Sequence, residues 1–223
     1  MFMIEELQRI VLQRCTTARD AIRVMGELIE KYGYGDWGEC LTIADPKEVW
    51  HFEVFGEGPD KIGGVWAAIR IPDDHVGVSA NIPRISKVDP KDTDNCMASA
   101  NVFEVAKRMG FWDGKKPFRF WEAYGGGNYS GEMKSFSIRE FFILNKLAPS
   151  LRLSYDAEEL PISVKPDRQV SVTDVMALLS ETYEGTEYDM TQNLKVAVKK
   201  KDSNETDTVI SPVANPWMTR DMV

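Results

Sequence analysis

The chain has 223 residues, 43% of them hydrophobic and 28% charged, with 27 Lys+Arg against 35 Asp+Glu for a net charge of −8. That composition supplies a core for one sizeable α/β domain or two small ones, and the acidic balance excludes nucleic acid as the main partner, because phosphate binding needs clustered cations. No apolar run approaches the roughly 20 residues that span a bilayer, and Cys15, Cys40 and Cys96, at unrelated spacings, give neither a disulfide framework nor a metal site.

The start, MFMIEELQRI, lacks the basic region and long apolar run of a signal peptide. The chain therefore reads as reduced and cytoplasmic if Met1 is the true beginning, with an upstream leader left open. Ile4, Leu7, Val11 and Cys15 recur at steps of three and four, which predicts a helix over 4–15. A second helix is predicted from Ala18 to Tyr32, with Ile22, Met25, Ile29 and Tyr32 inward, Thr17 as N-cap, and Gly33 and Gly35 at its end. CLTIADPKEVWHFEVFG reads as a hairpin around Asp45-Pro46-Lys47. GGVWAAIRIPDDHVGVSANIPRI adds two extended segments around Pro72-Asp73-Asp74, so four strands are expected between residues 40 and 85. Further helices are expected at 95–109, 135–147 and 172–183, and VKKKDSNETDT, 198–208, reads as an exposed loop. Strands flanked by helices predict an α+β layered fold, taken as one domain over 1–223.

Chemistry is sparse in this pattern. A reactive thiol needs an electropositive, partly exposed niche. Arg14 and Arg19 are near Cys15, but the stripe turns Cys15 inward as core filling. Cys40 with His51 or His75 could form a nucleophile–base pair, which needs only proximity in space. His51, however, lies in the alternating strand EVWHFEVF, and His75 sits beside a turn. GGGNYSG, 125–131, lacks the GK[ST] ending of a phosphate loop and reads as a flexible loop. In SANIPRI, 79–85, an Asn81 amide at a strand end can donate to an oxyanion, and Arg84 can grip a carboxylate. The plainer alternative is a turn-forming Asn and a surface Arg. No His/Cys/carboxylate cluster has metal-ligand spacing, and no cofactor is called for.

Five stretches, in order, carry a resemblance: RCTTARDAIRVMGELIEKYGY, LTIADPKEVWHFEVFGEGP, VWAAIRIPDDHVGVSANIPRI, LPISVKPDRQVSVTDVMALLSETYEGTEYDMTQ and NPWMTRDMV. They resemble the cysteine dipeptidases of the N-terminal-nucleophile hydrolase superfamily, relatives of the choloylglycine hydrolases and penicillin V acylases. The resemblance implies an αββα sandwich that hydrolyses dipeptides or short peptides. Its nucleophile would be a cysteine at the mature N-terminus, with its own α-amine, of pKa about 8, as base. It places Asn81 where relatives carry an oxyanion-hole asparagine, and Arg84 as a substrate contact or a support. In that family RCTTARDAI is a helix well downstream of the nucleophile, so no nucleophile is expected in this chain. The chain is then read as an internal portion, incomplete at both ends: a fragment, a truncated gene product or a split subunit. The alternative is a non-catalytic peptide-binding module on the same fold. Strand edges left by missing strands imply a second copy or a partner chain. VKKKDSNETDT departs from the Gly/Pro-rich run expected after DMTQ.

Overall fold

Ile4, Leu7 and Val11 are buried along one face of helix α1 (Ile4–Arg14), and Ile22, Met25 and Ile29 along one face of α2 (Ala18–Tyr32). The computed structural model describes residues 1–58, 61–126 and 133–189, and the backbone of 195–199 and 206–210. The fold is α+β, and two units, Met1–Arg168 and Gln169–Val223, are distinguished within it.

In the first unit, β1 (Gly38–Ala44), β2 (Val49–Gly56) and β3 (Gly64–Ile71) run antiparallel, and β5 (Cys96–Ala98) completes a sheet of order β1-β2-β3-β5. The two-residue strand β4 (Val76–Gly77) pairs instead with β6 (Ser163–Val164). Side chains alternate across a strand, so Trp50, Phe52, Val54, Trp66 and Ala68 meet α1 and α2 on one face. Phe55, Val65 and Ala67 pack on the other against α3 (Val102–Arg108) and α4 (Phe120–Gly125). Both faces of β2 are thus covered, and any polar residue on it must find a partner inside. Gly26 lets α2 lie against the sheet, since a Cβ there would stand 2.5 Å from the Trp66 ring.

The hairpin turn also starts α2. Asp45 accepts from the Lys47 and Glu48 N–H groups with one carboxylate oxygen and from the Ala18 N–H, at 2.8 Å, with the other. These bonds, Ala18 foremost, hold the Asp45 carboxyl below its usual range. Thr17 accepts from the Asp20 N–H, as an N-cap should. Arg19, in the first turn of α2, forks onto Glu48 and lies over Trp50.

Several expectations need correction. Tyr32 is exposed rather than inward, its ring edge-on to Phe2. Cys15 does not extend the helix; it is the C-cap of α1 and half-buried. The fourth strand of the sheet is not the segment after Pro72. It is β5, from a stretch expected to be helical, because a three-residue apolar run fits either period. The helix there starts only at Val102, and the six-residue α4 went unanticipated.

The second unit begins with α6 (Val172–Leu179), shorter than expected, closed by reciprocal bonds between Ser171 and Asp174. Strands β7 (Lys195–Lys199) and β8 (Thr206–Ile210) pair antiparallel. Between them, 200–205, the middle of the expected exposed loop, lies outside the described residues, as does 127–131 of GGGNYSG.

Candidate functional site

Beyond β4 the chain runs irregularly from Val78 to Arg84, and Asn81 takes the left-handed conformation, φ 48°. Asparagine tolerates that region better than most residues. The segment is gripped by the first turn of α5 (Ile138–Leu147), which Ser137 and Glu140 cap reciprocally. Glu140 is fully buried and accepts from the Ala80 N–H at 2.7 Å. Arg139 donates from Nη2 to the Ala80 carbonyl, 3.1 Å, and from Nη1 to Asn81 Oδ1, 3.0 Å. One helical turn therefore holds both polar groups of residue 80 and the side chain of residue 81.

Asn81 lines a cleft of about 460 Å³ whose walls include Trp37, Cys40, Glu53, Phe55, Ile82 and Gly126. With Oδ1 taken by Arg139, its Nδ2 has no acceptor among the described residues. A free amide donor at the mouth of a partly apolar cleft can stabilise a developing oxyanion.

Below it lies a polar knot that sequence reasoning missed. Glu53, at the centre of β2, is buried, and its Oε1 receives His51 Nε2 at 2.7 Å and the N–H groups of Arg84 and Ile85 at 2.5 and 3.1 Å. The sheet thus anchors the segment that carries Asn81. The available signal was an acidic residue inside a largely apolar strand. Arg84 lies inside the protein, 1% exposed, with Nη1 donating to the Val78 carbonyl (2.8 Å) and Nη2 to that of Pro161 (2.6 Å). Burial lowers its pKa, opposed by the charges of Glu140 and Glu53.

Cys40 faces Glu53 across the β1–β2 ladder, and burial, reinforced by the Glu53 charge, pushes its thiol up to about 11. His51 is joined to Glu53, and His75 Nδ1 lies 3.0 Å from Ser163 Oγ. Neither imidazole is bonded to a cysteine among the described residues. Burial also raises the Cys15 thiol, Asp20 adding to it and Arg14 opposing, and Cys96 is buried in the second core with a raised pKa. With its pKa raised from 9.0 to about 11, the Cys40 thiolate fraction at pH 8 is about a hundredfold below that of an ordinary thiol. Iodoacetamide labelling followed by peptide mass spectrometry at pH 8 is expected to be slower at Cys40 by that factor; labelling as fast as a free thiol would contradict its placement.

Residues 2–212 match the profile of Peptidase family C69. The chain is 30% identical over 187 residues to a probable dipeptidase of Salmonella dublin, covering 83% of this chain and 41% of that protein. It is 29% identical over 180 residues to a probable dipeptidase of Latilactobacillus sakei, covering 81% and 36%. To probable dipeptidase B of Streptococcus pyogenes serotype M1 it is 25% identical over 213 residues, covering 93% and 40%. The chain thus spans about two fifths of the length of the curated relatives it matches.

Proposed function

Because the chain belongs to peptidase family C69, we propose that it supplies the oxyanion-stabilising part of a site that hydrolyses dipeptides. The observation that carries this reading is the Asn81 amide, turned with its Oδ1 on Arg139 and its Nδ2 unengaged beside the cleft.

A cysteine thiolate attacks the scissile carbonyl carbon, and the carbonyl π pair moves onto oxygen, where Asn81 Nδ2 donates to it. Collapse of the tetrahedral species expels the amine, which takes the proton that the base had accepted from the thiol. Water then cleaves the thioester. The three cysteines of this chain are unsuited to the attack, because their environments favour the neutral thiol. In keeping with the family resemblance, the nucleophile is read as a cysteine at a mature N-terminus other than these three, its α-amine serving as base near neutrality. Arg84 is read as a support for the 78–85 segment, since its terminal nitrogens already hold two main-chain carbonyls.

The test needs no nucleophile. A phosphinic analogue of alanyl-alanine carries a tetrahedral, anionic group in place of the scissile amide. The purified chain is expected to bind it more tightly than alanyl-alanine by about a hundredfold, and to turn over neither. Equal affinities would contradict the oxyanion role. Turnover of alanyl-alanine that disappears in Cys15→Ser or Cys40→Ser would contradict the external nucleophile.

A further inference from the structure

We propose that Arg139 is the positioning residue of this site: it fixes which end of the Asn81 amide faces the cleft and strengthens that end as a donor. The inference rests on the reading of Asn81 given above and deepens it.

An asparagine amide has an acceptor end and a donor end, and its terminal torsion is broad and nearly two-fold. The backbone of Asn81, although held at φ 48°, does not select between them. Rotated by half a turn, the side chain would present a carbonyl oxygen to the cleft and repel the charge that develops in the reaction. A guanidinium has only donors. With Arg139 Nη1 3.0 Å from Oδ1, the observed orientation makes a charge-assisted bond, and the reverse would set an NH₂ against a cation. Drawing electron density toward Oδ1 also polarises the Nδ2–H bonds, the cooperative effect of linked hydrogen bonds.

Arg139 is itself held in place. Its second nitrogen donates to the Ala80 carbonyl, the neighbouring Glu140 takes the Ala80 N–H, and the Ser137–Glu140 box fixes the start of the helix on which both stand. The amide therefore enters the reaction already oriented, with little left to reorganise. Sequence spacing could not reveal this, since 58 residues separate Arg139 from Asn81.

A purely structural clamp would weaken every ligand alike, whereas a positioning residue acts on the tetrahedral anion. Titration calorimetry with alanyl-alanine and its phosphinic analogue separates the two. Arg139→Met, which removes the donors and keeps the chain length, is expected to reduce the preference for the analogue about tenfold, the worth of one charge-assisted bond. Alanyl-alanine affinity should move less than about twofold. Arg139→Lys, which retains a cationic donor, is expected to recover the preference to within about threefold. In the ¹⁵N spectrum of the free protein the Asn81 side-chain resonance should shift in the Met variant and return toward its position in the Lys variant. Equal weakening of both ligands, or an unchanged preference in Arg139→Met while Asn81→Gly abolishes it, overturns the role of Arg139 and leaves the reading of Asn81 standing. An unchanged preference in Asn81→Gly defeats that reading, and the inference with it. If Arg139→Met does not fold, Arg139→Gln replaces it, with an expected loss of about threefold for the missing charge; no loss there overturns the proposal.

Discussion

Glu53→Ala is expected to lower the unfolding free energy by about 3–5 kcal/mol, the range for breaking a buried charged network on one side. The carboxylate is 1% exposed, and one of its oxygens receives three donors: the His51 ring, the Arg84 N–H and the Ile85 N–H. Alanine leaves all three buried without an acceptor, and each unmade bond costs about 1–3 kcal/mol, not additively. It also removes one of the carboxylates whose charge offsets burial of the Arg84 guanidinium. Glu53→Gln keeps one acceptor oxygen and is expected to lose about half as much. Urea unfolding followed by circular dichroism checks this through a shift in midpoint at unchanged slope. A Glu53→Ala midpoint equal to that of the parent chain would contradict the anchoring role. The loss would reach the candidate site, since Glu53 ties the Asn81 segment to the sheet.

How far the sequence carried depended on how local each interaction is. Helices α1 and α2 were readable because one apolar stripe meets one sheet face, and because Thr17 starts α2 with a bond three residues away. The hairpin at Asp45-Pro46-Lys47 was readable for the same reason: its turn chemistry lies within four residues. Strand β5 was not, since it is defined by pairing with β3 across a long loop, as in Ala67 with Ala98, and its three residues carry no usable period. The six residues of α4 are likewise too few to show a stripe.

At the site, the sequence singled out Asn81 for its amide and its place near a proline, and the family resemblance gave it a role. It expected a strand end. The strand stops at Gly77, and Asn81 stands beyond it in a left-handed turn held by another element. For Arg84 the sequence left a surface group, a substrate contact or a support open, because its partners, the Pro161 carbonyl among them, lie as far as 77 residues away. Glu53 and Arg139 escaped notice because each matters through a partner that only the folded chain brings near. Cys15 is half-buried at a helix end rather than deep in the core, because helix α1 ends one residue short of it.

The second large effect concerns Asn81 itself. Alanine is a poor probe here, since at φ 48° it adds backbone strain of about 1–2 kcal/mol to the loss of the amide. Glycine adopts that conformation freely and removes only the side chain. Losing one oxyanion donor typically lowers rate by about 10²–10³, and affinity for a tetrahedral anionic analogue should fall on the same scale. Asn81→Asp has nearly the same shape, yet it carries no donor and brings a negative charge toward the anion, so it should lose at least as much. Both variants leave the uncharged amide of alanyl-alanine little affected, because the ground-state carbonyl gains far less from the same donor. The deciding measurement is calorimetric titration of the parent chain and Asn81→Gly with alanyl-alanine and its phosphinic analogue. The expected result is about a hundredfold loss of analogue affinity in the variant with dipeptide affinity nearly unchanged; analogue affinity equal in the two proteins would contradict the assignment of Asn81 as the oxyanion donor.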